Sequence, residues 1–153
     1  MEFKNEIGLI QRIMAASIAG TSRRLEILNA LDIASGQHVL DIGCGGGHLL
    51  EEIAKAVGPE GKAYGLDTSE DQLKQARKRC SLYKNVFTIK GYANQISLEN
   101  NSCDSICSVQ TFEYIDNVDD SIKELTRILK PSSIFVNIQF FGNIINFLVL
   151  MKS

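Results

Sequence analysis

The chain has 153 residues, 44% of them apolar and 22% charged, and a net charge of −2 at pH 7. Length and composition fit one globular domain over 1–153, large enough to bury a core. The charge balance gives no electrostatic case for nucleic acid or for an anionic membrane.

Residues 1–34 read as two helices. Ile7, Ile10, Met14 and Ile18 recur at helical spacing, and Gly20 is placed to stop that helix. The first ten residues include two acids and no long apolar run, so no signal peptide is expected. A second helix is expected from Thr21 or Ser22, with Leu25, Leu28 and Leu31 on one face. After the turn "SGQ", the core at 35–140 starts with a short buried strand, "HVLDIG". "HLLEEIAKAV" is a helix that Gly58 and Pro59 end. "KAYGLD" is a second strand. The helix that follows opens on Ser69 and Gln72, spaced as a capping box. Its basic cluster, Lys74, Arg77, Lys78 and Arg79, reads as a solvated face. "NVFTIKG" and "CDSICSVQ" are strands three and four. A helix over "NVDDSIKELTRILKP" turns Ile122, Leu125 and Leu129 inward, and Pro131 closes it. Ser133–Phe140 is the fifth strand. Strands alternating with helices imply an α/β fold: a Rossmann-like open parallel sheet of about five strands, with helices on both faces.

The four cysteines contain no C-x-x-C pair, and Cys103 and Cys107 lie roughly 13 Å apart along one strand. They read as reduced thiols, which suits a cytoplasmic setting. From Pro131 to Met151 no residue is charged, but six Ser, Asn and Gln side chains argue against a membrane span. The tail at 141–153 is strongly apolar. Ile144, Ile145, Phe147, Leu148, Val149, Leu150 and Met151 are expected to pack as a short helix or to join a second chain.

The chemistry concentrates in "VLDIGCGGGH" at 39–48. In an open parallel sheet, ligands sit at the carboxyl ends of strands where the strand order reverses. The loop after the first strand is such a place, and its four glycines let a ligand approach the backbone. A dinucleotide fingerprint would need glycine at position 48, which is His48. Asp41 stands two residues before Gly43, where a carboxylate suits a cationic ligand better than a pyrophosphate. Asp67 ends the second strand, 24 residues after Gly43, at the spacing of a ribose-binding acid. A ligand with a ribose, a cationic part and no pyrophosphate fits S-adenosylmethionine.

"VLDIGCGGG", "GLDTSEDQLKQAR" and "CDSICSVQTFEYIDNVDDSIKELTRILKP", in this order, resemble class I S-adenosylmethionine-dependent methyltransferases. The branch with the ubiquinone and menaquinone methyltransferases is the most similar. The resemblance covers about 22–140 and implies strand order 3-2-1-4-5. It places Gly43, Cys44, Gly45 and Gly47 along the methionine and ribose of the cofactor. Asp41 would hold the loop and the cofactor's amino group, and Asp67 the ribose hydroxyls. Thr68 and Gln72 would lie near the adenosine, and Gln110 beside the methyl-transfer side. Where the family has Gly-Asp-Ala, this chain has "GYA" at 91–93. Tyr92 cannot supply the usual carboxylate to adenine, while Ala93 still offers its N–H. The family sheet has seven strands, with a helix and a hairpin after the fifth, and "KPGG" stands where this chain has "KPSS". The chain therefore reads as truncated after the fifth strand, with self-association through that strand and the tail.

The resemblance implies methyl transfer to a small-molecule acceptor. A cofactor-binding chain without activity is the alternative, and a nicotinamide-dependent oxidoreductase the third reading. Glu113, Tyr114 and His48 are the candidate catalytic groups, each with an ordinary structural role as its competitor. Glu113, Asp116, Asp119 and Asp120 read as loop and helix-start acids, so no metal is expected.

Overall fold

The computed structural model describes residues 5–141 and 144–153. Residues 1–4 of the expected signal-free N-terminus, and residues 142 and 143 of the expected apolar tail, lie outside them.

Two helices, α1 (Asn5–Ala16) and α2 (Ile18–Leu31), come first. Then follow β1 (His38–Ile42), α3 (His48–Val57), β2 (Lys62–Asp67), α4 (Glu70–Arg79), β3 (Val86–Lys90) and β4 (Cys103–Val109). A 3-10 turn at Phe112–Tyr114 leads to α5 (Val118–Ile128), β5 (Leu129–Phe141) and β6 (Ile144–Met151). The sheet runs β3-β2-β1-β4-β5-β6. The first five strands are parallel and in the expected order. Chain order reverses between β1 and β4, so the ligand-binding crevice opens above those two strands.

Side chains along β1 alternate between two cores. Val39 packs with Ile27, Leu50, Ile53 and Val57 on the face covered by α2 and α3. Leu40 and Ile42 pack with Leu125, Ile128 and Phe135 on the face covered by α5. This period of two fixes the register, because a slip of one residue would bring Asp41 into the apolar α5 face. The segment between β3 and β4 is tied down by Arg127. Its guanidinium donates to the Ile96 and Leu98 carbonyls and to Glu124.

Four local expectations are corrected. Ser17, not Gly20, separates the first helices. Its Oγ accepts from the Gly20 N–H as the N-cap of α2, which leaves Gly20 inside that helix. The apolar stripe of α1 faces solvent: Ile7, Ile10 and Met14 are exposed, as are Ile18 and Leu25 of α2. Instead α1 docks by Gly8, Gln11 and Arg12, whose small and polar groups meet the start of α4. At the far end α5 stops at Ile128, before Pro131, and the chain turns straight into β5.

The fourth correction concerns the tail. Over Ile144–Met151 it is not a helix. It forms β6, antiparallel to β5 over eight residue pairs from Ile134–Met151 to Phe141–Ile144. The N–H and C=O groups on the outer edge of β5 are therefore met within the chain. The open edge passes to β6, where Leu148, Val149 and Met151 are exposed.

Candidate functional site

The loop after β1 turns on three glycines in the left-handed region: Gly43 at φ 71°, Gly45 at 52° and Gly47 at 85°. L residues rarely take this conformation. Two of the three are further constrained by contact. A Cβ on Gly43 would lie 2.1 Å from Thr111 Oγ1, and one on Gly47 would lie 2.8 Å from Ala76 Cα. Gly45 differs. Its nearest neighbour is Gln72 Nε2 at 3.9 Å, so its surface faces open space.

The loop is braced from below. The Gly43 and Cys44 N–H groups both donate to the Leu66 carbonyl, at 2.7 and 3.0 Å. The Gly45 N–H donates to Asp67 Oδ2 at 2.9 Å, and the Gly47 N–H to the Cys44 carbonyl at 3.0 Å. Asp67 Oδ1 accepts from the Ser69 N–H at 2.9 Å. Asp67 thus couples the end of β2 to the glycine loop and to the start of α4. Burial raises its pKa, opposed by the N–H groups of Ser69, Gly45 and Thr68.

Above the loop lies a cavity of about 730 Å³. Asp41, Gly43, Cys44, Gly45, His48, Asp67, Thr68, Gln72, Tyr92, Ala93, Gln110 and Tyr114 all contribute to its wall. The fold thus gathers most of the sequence-derived candidates on one surface. Gly47 and Glu113 do not belong to that wall. Gly47 packs on α4, and Glu113 is exposed on the 3-10 turn.

Individual roles differ from expectation in places. Cys44 turns its thiol into the core beside Gly65 and Leu50, where burial pushes the thiol pKa well up. Asp41 is buried, and its Oδ1 accepts from the Cys107 thiol at 3.7 Å. Burial, then the nearby charge of Asp67, pushes its carboxyl up to about 8 against the bond from Cys107. Gln72 caps nothing with its side chain. Its Nε2 donates to Gln11 Oε1 and its Oε1 accepts from Arg12 Nη1. Ser69 still caps α4, accepting from the Gln72 N–H. Gln110 sits at φ 49°, a strained setting for a residue with a Cβ, and its N–H donates to the Ile138 carbonyl. Tyr92 is mostly exposed, bridged to Gln95, while Ala93 is buried.

His48 opens α3 with its Nε2 buried and without a partner among the described residues. Burial, then the Arg79 and Arg24 charges, lowers its pKa to about 4, so the ring is neutral at pH 7. Asp120 accepts from Asn117 and pairs with Lys123, and no metal-holding group of three or more His, Cys, Asp or Glu occurs among the described residues.

Five further residues of the wall carry no sequence signal: Gln11, Arg12, Arg23 and Arg24 from the helices, and Thr111 after β4. They stand far from the loop in sequence, and only the packing of α1, α2 and β4 brings them to it. No helix among the described residues is long and apolar enough to cross a membrane.

The fold has known counterparts. A demethylmenaquinone methyltransferase of Geobacillus stearothermophilus is 33% identical over 115 residues, 74% of this chain and 49% of that protein. An uncharacterized protein in transposon TN4556 of Streptomyces fradiae is 32% identical over 118 residues, 77% of this chain and 34% of that protein. Among solved structures, a SAM-dependent methyltransferase from Aquifex aeolicus superposes with a TM-score of 0.71 at 30% identity. That match covers 76% of this chain and 63% of the other. The chain spans one third to one half of the length of these curated relatives. The methyltransferase domain family matches residues 33–142, from the turn before β1 to the end of β5, and so takes in the glycine loop, Asp67 and Gln110 together. This chain belongs to the methyltransferase domain family.

Proposed function

We propose that this chain binds S-adenosylmethionine and transfers its methyl group to a small-molecule acceptor. The observation that carries the reading is the Gly45–Asp67 pair. An open glycine surface and a part-buried acid at the end of β2 share one hydrogen bond in the wall of one cavity. The cavity is of the size that takes a nucleoside-containing ligand. The names of the relatives agree with this reading.

The residues fit the cofactor in three places. Asp67 offers its outward lone pairs to the ribose hydroxyls. Gly43 and Gly45 let the thioether chain lie against the backbone. Asp41, neutral when alone, becomes a carboxylate beside a cationic amino group. Thr68, Gln72, Tyr92 and Ala93 wall the adenosine end, and Gln110 and Tyr114 the acceptor end. When bound, the cofactor supplies an activated methyl group on a sulfonium. The protein's share is alignment and exclusion of water, which together can contribute roughly 7–11 kcal/mol. A base is required only for an acceptor that must lose a proton. Of the candidates His48, Glu113 and Tyr114, His48 and Tyr114 belong to the wall.

We take all 153 residues as one domain, with α1 and α2 as its roof, and reduced thiols as the sign of a cytoplasmic setting. Calorimetry with S-adenosylmethionine, S-adenosylhomocysteine and NAD tests the cofactor reading. Binding of NAD in preference to the other two sinks it. Production of S-adenosylhomocysteine with candidate acceptors separates a transferase from a chain that only binds.

A further inference from the structure

Both edges of the sheet are open among the described residues, and they are built differently. β3 is five residues long and ends on Lys90. Arg77 Nη1 donates to Thr88 Oγ1 at 3.2 Å, and the Lys62 ammonium lies 5.8 Å from the centre of the Phe87 ring. Short length and cations keep a foreign strand off an edge. β6 has neither. It runs for eight residues, seven of them apolar, with no charge, Pro or Gly. Its length is about 27 Å.

The nearest cation does not guard this edge. Lys152 follows β6 directly, but its Nζ reaches back to the Leu129 carbonyl at 2.7 Å and to Asn101 Oδ1 at 2.8 Å. Those partners lie on the β5 side, away from the outer edge. Apolar side chains flank the edge on both faces of the sheet. Leu148 and Leu150 stand opposite Asn137 and Phe135 on the α5 side. Val149 and Met151 stand opposite Val136 and Ile134 on the side of α2 and α3. All four are between 37% and 72% exposed. A strand apolar on both faces has the pattern of an interior strand, yet β6 ends the sheet.

We propose that two copies of this chain pair through β6, joining two six-stranded sheets into one. A two-fold axis perpendicular to the sheet sets β6 antiparallel to its own copy. Every second residue turns its N–H and C=O outward, so about eight hydrogen bonds can form across the axis. The same axis keeps both α5 faces on one side. Leu148 and Leu150 of the two copies then share one face, and Val149 and Met151 the other. Charge selects the second copy over an unlike partner. Self-pairing brings identical residues close together, which a charged strand resists and this uncharged strand does not. A partner of opposite charge finds nothing on β6 to complement. None of the described residues of β5 and β6 belongs to the cavity wall, so the pairing is independent of what the cavity binds.

Sedimentation equilibrium of the full chain over a wide concentration range is the test. The wild type is expected at twice the mass of one chain. Val149→Lys sets like charges across the axis at a position exposed in the single chain. It should raise the dissociation constant of the pair about tenfold or more. Circular dichroism checks that the variant folds, and Leu148→Lys repeats the test on the other face if it does not. Ile13→Lys, on the exposed stripe of α1, should leave the doubled mass unchanged. Amide exchange of the wild type needs no variant: alternate β6 amides should slow on concentration, and the β3 amides should not. A wild type of single-chain mass at every concentration overturns the pairing. So does open-ended growth, or a dimer that Ile13→Lys dissociates and the β6 variants leave intact.

Discussion

Arg12 Nη1 lies 3.0 Å from Asp71 Oδ2, and this one guanidinium joins α1 to α4 across the glycine loop. The same nitrogen reaches Gln72 Oε1, and the stem of Arg12 lies where a Cβ on Gly46 would be, 2.9 Å away. The roof of the cavity is therefore tied to its floor by a part-buried ion pair rather than by apolar packing. Arg12→Met keeps the stem and removes the tie. We expect a loss of about 1 kcal/mol in holding α1 closed, or roughly fivefold faster release of S-adenosylhomocysteine. Stopped-flow dissociation reads this directly. An unchanged rate would mean that α1 does not gate the cavity.

The glycines of the loop separate into two kinds. Gly47→Ala places a methyl against the Ala76 backbone at φ 85° and should cost about 3 kcal/mol or more in stability. Gly45→Ala meets open space at φ 52° and should cost about 1 kcal/mol. Yet its methyl enters the ligand's volume, so cofactor affinity should fall by about tenfold. Urea unfolding and calorimetry on both variants test the distinction. Full cofactor binding by Gly45→Ala would place the ligand elsewhere.

Asp67 serves the fold as well as the ligand, because its carboxylate oxygens hold Gly45 and Ser69. Asp67→Ala should weaken S-adenosylhomocysteine by about 1.5–3 kcal/mol and also lower stability by about 1–2 kcal/mol. A purely ligand-facing acid would change affinity alone. Measuring both quantities on one variant decides between these roles.

Asp41 and His48 predict opposite pH effects. The folded value for Asp41 is about 8, well above an unfolded carboxyl near about 4. Its contribution to stability is complete below the unfolded value and is lost as pH rises toward 8. The folded value for His48 is about 4, below an unfolded imidazole near about 6.5. Its contribution is complete above 6.5 and is lost as pH falls. From about pH 6.5 to about pH 8, Asp41 is the one of the two that titrates, so stability of the ligand-free protein should decline. Asp41→Asn should flatten that decline in urea titrations. Equal slopes in the two proteins would show that Asp41 is already ionised.

Ser132 holds φ 63° at the base of the β5–β6 hairpin, where its N–H donates to the Lys152 carbonyl. Ser132→Gly relieves this strain and frees the unfolded chain by a smaller amount. A net gain of about 0.5–1 kcal/mol is expected. A lower melting temperature for the variant would contradict the strain argument.

The sequence by itself determined the parallel core and the placing of its loop. Alternating apolar strands and amphipathic helices leave few other packings. The sharp turn after β1 demands glycine whatever surrounds it, so Gly43, Gly45 and Gly47 were legible, as was Asp67 at a strand end. Those signals are local: spacing, periodicity and backbone conformation act within a few residues. The tail was not legible in this way. An apolar run such as 144–151 suits a strand or a buried helix equally. Only pairing with the exposed edge of β5 made it β6. The same holds for α1, whose apolar stripe promised burial but whose Gly8–Arg12 face found the better partners in Asp71 and Gln72. The neutral state of Asp41, the inward turn of Cys44 and the meeting of Arg23, Arg24 and His48 in one wall were likewise decided by tertiary structure. Burial and proximity between residues distant in sequence set these properties, and no local pattern encodes either.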